Sequence, residues 1–300
     1  MPVVRHENDE GLKTLIISIA SGKGGTGKTL VATSLALTLK NDNEVTLLDC
    51  DVEEPNDHIY MQPRQTGSRP VAVPVPHVDE SQCIGCGMCH DVCLFNAIAV
   101  LGKTVLVFNE LCHGCGACTR FCPVGAISEV PHEIGVVEEG DADGIRFYDG
   151  VLTIGQPMAP PIIREVKKHV DPDGVTIIDA SPGTSCPVVE AVRESDFCVL
   201  VTEPTPFGLS DLRLAVETVR ELGLNHGAII NRSNVGDERT EEYLREEGIP
   251  VLMRIPLDER IAHEYSRGVP LVEALPEYRQ QFVDMYKVIT EMVNARSSRT

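Results

Sequence analysis

The chain has 300 residues, with 45 Asp and Glu against 26 Lys and Arg for a formal charge of −19, and it is 42% hydrophobic and 24% charged. Such a composition belongs to a soluble globular protein, long enough for one large α/β domain or for a domain carrying a smaller insert. The charge repels nucleic acid phosphates and anionic lipid over most of the surface, and no apolar run approaches the ~20 residues that span a bilayer.

The N-terminal stretch Met1 to Glu10 is polar and has no secretory character, so the expected compartment is the cytoplasm. Thiols stay reduced there, and the eleven cysteines call for metal binding or catalysis rather than a disulfide framework. The apolar run Leu15 to Ala20 reads as a buried strand, and a helical pattern opens at about Lys28 and runs to Lys40. Between them lies Ser21-Gly22-Lys23-Gly24-Gly25-Thr26-Gly27-Lys28-Thr29, in which Gly22, Gly27, Lys28 and Thr29 fill every fixed position of G-x-x-x-x-G-K-[ST]. Glycines let successive N–H groups, including those of Gly24, Gly25 and Thr26, turn inward around phosphate oxygens. Lys28 is placed to reach the β and γ phosphates of ATP, and the Thr29 hydroxyl to ligate Mg²⁺.

A short strand over Glu44 to Leu48 then delivers Asp49, Cys50 and Asp51 at its carboxyl end, which faces the ligand in an open parallel sheet. Asp51 also suits a cap for the following turn, and Cys50 between the aspartates reads as a packed thiol. From Gln62 to Val78 the chain is rich in Pro and Gly, and the alternation of Val71, Val73 and Val75 suggests a short strand leading outward.

Cys83, Cys86, Cys89 and Cys93 then recur at an offset of 29 residues as Cys112, Cys115, Cys118 and Cys122, together with Gly85/Gly114, Gly87/Gly116, Ala97/Ala126 and Ile98/Ile127. Each half reads C-x2-C-x2-C-x3-C, the bacterial ferredoxin run in which the fourth cysteine serves the other cluster. One [4Fe-4S] cluster is therefore expected on Cys83, Cys86, Cys89 and Cys122, and a second on Cys112, Cys115, Cys118 and Cys93. Zinc is the rival metal, although its usual spacing pairs cysteines two by two across a longer gap. Cys122 is followed by the expected proline, Pro123, whereas Cys93 is followed by Leu94. Eight thiolates suffice for two clusters, which leaves His90 and His113 as solvated neighbours.

His132 to Gln156, with Gly140, Asp143-Gly144 and Asp149-Gly150, predicts hairpins ending in a strand over Val151 to Ile154. A helix follows from Pro160 to about Val170, and the cations Arg164, Lys167 and Lys168 on it read as a solvated face. The apolar strand Val175 to Ile178 ends in Asp179, the position from which P-loop proteins hold Mg²⁺ through water. Cys186 reads as a buried or helix-starting thiol and Cys198 as core. Strand and helix then alternate: 198–202, 209–222, 228–230, 240–247 and 251–255, which implies crossovers and a mostly parallel sheet. In the tail, Tyr278, Phe282, Met285, Ile289 and Met292 share one helical face, so a docked final helix is expected. Arg296 and Arg299 could serve a membrane contact, but Glu277, Asp284 and Glu291 on the polar face oppose anionic lipid.

The run from Lys23 to Thr29 resembles the deviant P-loop of the family that includes MinD, ParA, Mrp and the nitrogenase iron protein. The resemblance covers nearly the whole chain and implies a mostly parallel α/β P-loop ATPase, residues 1–78 and 131–300, interrupted by an inserted α+β bacterial-ferredoxin-like domain at 79–130. It implies that Lys23 crosses to a partner subunit's nucleotide in a homodimer with ATP at the interface. It further implies that Asp51 orients the attacking water, that Asp49 supports Mg²⁺ or its waters, that the Gly183 amide senses the γ-phosphate, and that Asn231 with Arg232 meets the adenine. The catalytic candidates are therefore Lys23, Lys28 and Asp51. Three functions are expected from it: ATP-coupled electron transfer through the two clusters, iron-sulfur or metallocofactor assembly, or spatial positioning in the manner of MinD. A redox partner or a small metallocofactor-binding protein is implied by the first two.

Overall fold

The computed structural model describes residues 14–297, so that Met1 to Glu10 and Arg299 lie outside the described residues. β1 (Leu15–Ala20) is buried at all six positions, as an unbroken apolar run must be when helices cover both faces of a parallel sheet. α1 (Lys28–Leu39) follows the glycine-rich loop and is buried along nearly its whole length. β2 (Val45–Cys50), again wholly buried, leads through a loop into α2 (Asp57–Met61) and then β3 (Arg64–Val78).

The cysteine-rich segment contains only short elements: α3 (Met88–Asp91), the hairpin β4 (Ile98–Leu101) with β5 (Thr104–Val107), and α4 (Ala117–Phe121). The chain returns through β6 (Ile127–Ala142) and β7 (Ile145–Leu152), then α5 (Pro160–Lys167), β8 (Val175–Ala180) and α6 (Cys186–Val192). β9 (Phe197–Thr202), α7 (Pro206–Glu221), β10 (Asn225–Asn231), α8 (Arg239–Glu246) and β11 (Val251–Ile255) alternate as expected. α9 (Glu259–Tyr265), α10 (Leu271–Ala274) and α11 (Arg279–Ser297) close the chain.

Nine strands form one sheet in the order β11-β10-β9-β1-β8-β2-β7-β6-β3. Every pair from β11 to β7 is parallel, and β6 and β3 extend the sheet antiparallel. One core joins α1 and the C-terminal helices to one face, with Phe282, Met285 and Ile289 of α11 fully buried in it. The other core holds α5 to α8 on the opposite face. The apolar stripe of α11 is thus spent on the fold, and among the described residues no helix is long and apolar enough to cross a membrane.

Within the fold, the structure departs from the sequence reading in three places. The region 64–78 is one long strand with Val71, Val73 and Val75 inward, because β3 is the last strand of the sheet and its prolines leave no inner partner unserved. Only Asp143-Gly144 makes the β6–β7 turn, whereas Asp149-Gly150 sits inside β7, not before a strand at 151–154. A side chain at Gly150 would lie 2.6 Å from Val52 and 2.8 Å from Val166, so glycine is there for space rather than for a turn. Lys167 is not a solvated cation: its Nζ donates to the Glu190 and Arg193 carbonyls at 2.8 and 2.6 Å, closing the end of α6.

The register fixes where the cysteine-rich segment sits. β6 pairs with β7 only as far as Gly135 opposite Leu152, and from there 127–134 pairs with β3 alone, up to Ile127 opposite Val78. A two-stranded arm roughly 25 Å long therefore continues past the carboxyl end of the parallel strands. Residues 79–126 hang at its tip, on the same end of the sheet as the glycine-rich loop.

Candidate nucleotide site and candidate metal centres

The glycine-rich loop joins β1 to α1 in the middle of the sheet. Gly27 has φ +101°, and a side chain there would come within 2.5 Å of Asn231 Nδ2, so glycine is required on both conformational and steric grounds. Lys28 is 6% exposed, its stem buried at the start of α1. Thr29 Oγ1 donates to Asp179 Oδ2 at 2.6 Å, while Asp179 Oδ1 and Thr26 Oγ1 are buried with no partner. Buried polar atoms seldom go unpaired, and a hydrated Mg²⁺ beside Thr29 and Asp179 would satisfy them, so the donor set fits the ion.

Asp49 and Asp51 take different surroundings. Asp49 is 1% exposed; its Oδ1 accepts from Asp51 N at 2.9 Å and its Oδ2 from Asn56 N and Asp57 N at 3.0 Å each. Those bonds close the first loop into a fixed turn ahead of α2. Burial raises Asp49 above the ordinary carboxylate range against the pull of the three amides. Asp51 is partly exposed, and burial raises it to about 6 although the Lys28 ammonium opposes the shift. The Gly183 amide donates to the Ser21 carbonyl at 2.9 Å, so the second loop is latched onto the glycine-rich loop.

Lys23 is paired within its own chain: its Nζ lies 3.3 Å from Glu203 Oε2, and Arg232 Nη1 lies 2.7 Å from Glu203 Oε1. Glu203 is 6% exposed, and sequence reasoning missed it. The signal was available, since Glu203 ends the apolar strand β9 in the way Asp179 ends β8. Asn231 spends its Nδ2 on the Thr26 carbonyl at 2.7 Å and its Oδ1 on Arg232 N at 2.9 Å. The structure thus gives Asn231 the work of bracing the phosphate loop.

A second missed feature runs across the sheet. Asp179 of β8 is in register with Asp49 of β2, Asp49 with Asp149 of β7, and Asp149 with Glu138 of β6. In-register neighbours share a face, so four acids form one row from the glycine-rich loop to the arm. Asp57, fully buried, adds a fifth carboxyl beside Asp49, Asp179 and Asp149. Burial first, then these neighbours, raises Asp57 well above the usual range and Asp149 likewise.

At the tip of the arm the eight repeated cysteines line two cavities in crossed sets. Cys83, Cys86, Cys89 and Cys122 surround one of about 360 Å³, counting the part open to solvent, beside Val78 and Ile127. Cys93, Cys112, Cys115 and Cys118 surround the other, of about 370 Å³ on the same measure, which leans on Pro74 and Pro76 of β3. Burial raises the Cys89 thiol, with Cys86 and Cys83 adding to it; it raises Cys112 likewise, with Cys115 and Cys93 adding. Ala97 N and Ala126 N donate to the Cys93 and Cys122 sulfurs at 3.3 Å.

Among the described residues no three His, Cys, Asp or Glu converge as the ligands of a single ion. Four thiols lining one cavity are nevertheless the donor set that a cubane cluster takes, so the residue types fit that group. His90 and His113 are exposed but not merely solvated: His90 Nδ1 lies 2.8 Å from the Ile98 carbonyl, and His113 stacks on Phe95 with ring centroids 3.6 Å apart. Cys186 starts α6 and is exposed, whereas Cys50 and Cys198 are buried.

Comparison with known proteins identifies the nucleotide half of this arrangement. The family described as the CobQ/CobB/MinD/ParA nucleotide binding domain matches residues 17–271. An uncharacterized protein of Methanocaldococcus jannaschii is 29% identical, covering 93% of this chain and 97% of its own length. An iron-sulfur cluster carrier protein of Synechocystis is 25% identical, over 87% of this chain and 65% of that one. Among solved structures, the septum site-determining protein MinD of Pyrococcus horikoshii, complexed with Mg-ADP, covers 93% of this chain and 96% of its own with a TM-score of 0.57 at 20% identity. The cell division ATPase MinD of Pyrococcus furiosus gives 0.58 at 22% identity, covering 93% of this chain and 99% of its own.

Replacing Asn231 with Ala separates its bracing role from contact with the base. Loss of the brace leaves the Thr26 carbonyl unpaired and lowers affinity for ATP and GTP by a similar factor, about tenfold. Titration of the variant with both nucleotides checks this; a changed ATP-to-GTP preference would instead place the amide on adenine.

Proposed function

The chain belongs to the CobQ/CobB/MinD/ParA nucleotide-binding family, and from that premise we propose that it is an ATP-hydrolysing iron-sulfur protein. Its nucleotide-dependent dimerisation would govern electron transfer through two [4Fe-4S] clusters. The observation that carries the reading is the pair of crossed four-cysteine cavities at the tip of an arm that leaves the sheet at its nucleotide end. Mg²⁺ on Thr29 and Asp179 would neutralise phosphate charge, and the clusters would supply one-electron chemistry.

The chain's own groups do the rest. Lys28 stabilises charge developing on the γ-phosphate, and Asp51 accepts a hydrogen bond from the attacking water. Lys23 contributes to the partner subunit's site once it leaves Glu203, and the Gly183 amide exchanges the Ser21 carbonyl for a γ-phosphate oxygen. Communication with the arm follows backbone. Val52, next to Asp51, accepts from Leu152 N at 2.8 Å, and Thr153 N donates to the Ile134 carbonyl at the root of the arm at 2.9 Å. Four strand spacings, roughly 20 Å, separate β1 from β6. Screened Coulomb forces fade over about 10 Å, so a rearrangement passed along this backbone is the more effective coupling.

A second reading, an iron-sulfur carrier or assembly ATPase, draws on the likeness to cluster carrier proteins. It requires at least one cluster that moves to an apo-protein. Spatial positioning in the manner of MinD is less favoured, since α11 buries its apolar face and the charge is strongly acidic.

Lys28→Ala is expected to abolish ATP hydrolysis while leaving the iron-sulfur absorbance, and anaerobic redox titration of the native protein should shift on adding ATP with Mg²⁺. An unshifted potential together with iron transfer to apo-ferredoxin would move the assignment to the carrier reading.

The pH profile has a definite sign. Asp51 must be ionised to accept from water and titrates at about 6. Turnover should therefore fall as pH drops through 6, and Asp51→Asn should be inactive across the range.

Cys122→Ser should remove the cluster shared with Cys83, Cys86 and Cys89, taking iron from about eight to about four atoms per chain. Iron analysis with electron paramagnetic resonance of the reduced protein reads this. Loss of the set that contains Cys112, Cys115 and Cys118 instead would refute the crossed assignment.

A further inference from the structure

Between α2 and strands β6 and β7 lies a recess of about 810 Å³, counting the part open to solvent. Its polar lining is His58, Gln62, Gln65, Glu138, Glu139 and Asp149, and among the described residues no Lys or Arg lines it. Glu139 is already neutralised, its Oε2 held by Arg69 Nη2 at 2.8 Å. Glu138 and Asp149 face each other in register, and among the described residues no Lys or Arg pairs with either. Asp149 is 3% exposed, its Oδ1 has no hydrogen-bond partner, and its Oδ2 is met only by the half-exposed His58 ring at 3.4 Å.

Two carboxyl groups directly opposite on adjacent strands resist being ionised together unless a cation joins them, and a buried oxygen left unpaired costs more. The acid row thus has a cation-demanding position at each end: one at Thr29 and Asp179, and one at Asp149 and Glu138. The recess is unsuited to a bare metal ion, since among the described residues no three ligating groups converge. Phe147 and Val151 supply apolar wall beside the carboxylates. A charged head next to a short aliphatic chain matches that lining.

We propose that this recess binds an aliphatic ammonium or guanidinium group, whose N–H donors are taken by the Glu138 and Asp149 carboxylates and whose methylenes lie against Phe147 and Val151. The group belongs either to a free small amine or to a Lys or Arg side chain of a docked protein. Because His58 and Gln62 flank the first loop through α2, occupancy would brace the segment that follows Asp51. The site stands on its own geometry and does not depend on the ATPase reading.

Isothermal titration of the intact, cluster-loaded protein under anaerobic conditions tests this, with agmatine as the free amine and Nα-acetyl-lysine amide as the side-chain mimic. Nα-acetyl-norleucine amide is the neutral control. Saturable one-to-one binding of either cation, absent for the control and weakened about tenfold or more by Glu138→Gln, is the expected result, that factor being the loss of one charge-assisted hydrogen bond. Agmatine alone would indicate a free amine, and the lysine derivative alone a docked side chain. Glu138 is the position to substitute because it is only half-buried, and circular dichroism of Glu138→Gln checks that the strand pairing is intact. Absence of binding by both cations up to about 10 mM, or binding indifferent to Glu138→Gln, would overturn the site.

Discussion

The amide of Leu152 donates to the carbonyl of Val52, and this bond joins the loop after β2 to the end of β7, which pairs with β6 at the root of the arm. β2 sits between the Asp179 strand on one side and β7 on the other. A displacement of the first loop cannot be absorbed locally, since Asp49 holds the loop by three amides and β7 is fastened to its end. The nucleotide end of the sheet and the root of the arm are thus one hydrogen-bonded body. Packed elements with two discrete arrangements, rather than continuous deformation, are what transmit such movements.

Electrostatics set the second constraint. Burying carboxylates in a row is expensive unless each is paired or hydrogen-bonded. The chain answers differently along the row: Asp49 uses backbone amides, Asp179 uses the Thr29 hydroxyl, and Asp149 has only one oxygen near a histidine. Asp57 has neither oxygen satisfied. The row is therefore least comfortable without cations at the phosphate loop, which is the condition a nucleotide with Mg²⁺ removes.

Much of this was legible in the sequence, for identifiable reasons. The phosphate loop and the cysteine repeat are fixed-spacing patterns, and the buried parallel strands are apolar runs ending in an acid. The α11 stripe was legible as a period, and Phe282 and Ile289 are buried as that period requires. The arm was not, because Pro70, Pro74 and Pro76 argue against an interior strand and only the topology reveals that β3 is the edge. Asp149-Gly150 misled for a related reason: the pair has turn chemistry, but Gly150 answers a steric demand from Val52 and Val166 that no local window contains. Glu203 escaped because its partners, Lys23 and Arg232, come from distant parts of the chain.

Glu203 also bears on how a dimer would form. One carboxylate holds both the lysine of the glycine-rich loop and the arginine after β10, so Lys23, the cation proposed to reach a second subunit, is engaged within its own chain. Releasing Lys23 gives up a partly exposed ion pair, which is worth little in water. The carboxylate left behind is not exposed, yet Arg232 stays at 2.7 Å and keeps it neutralised. The shared acceptor therefore lets Lys23 move at small cost without stranding a buried charge, whereas a private Lys23–Glu203 pair would resist the same movement. A carboxylate with two cationic partners is in this sense a better resting place for a residue proposed to leave than one with a single partner.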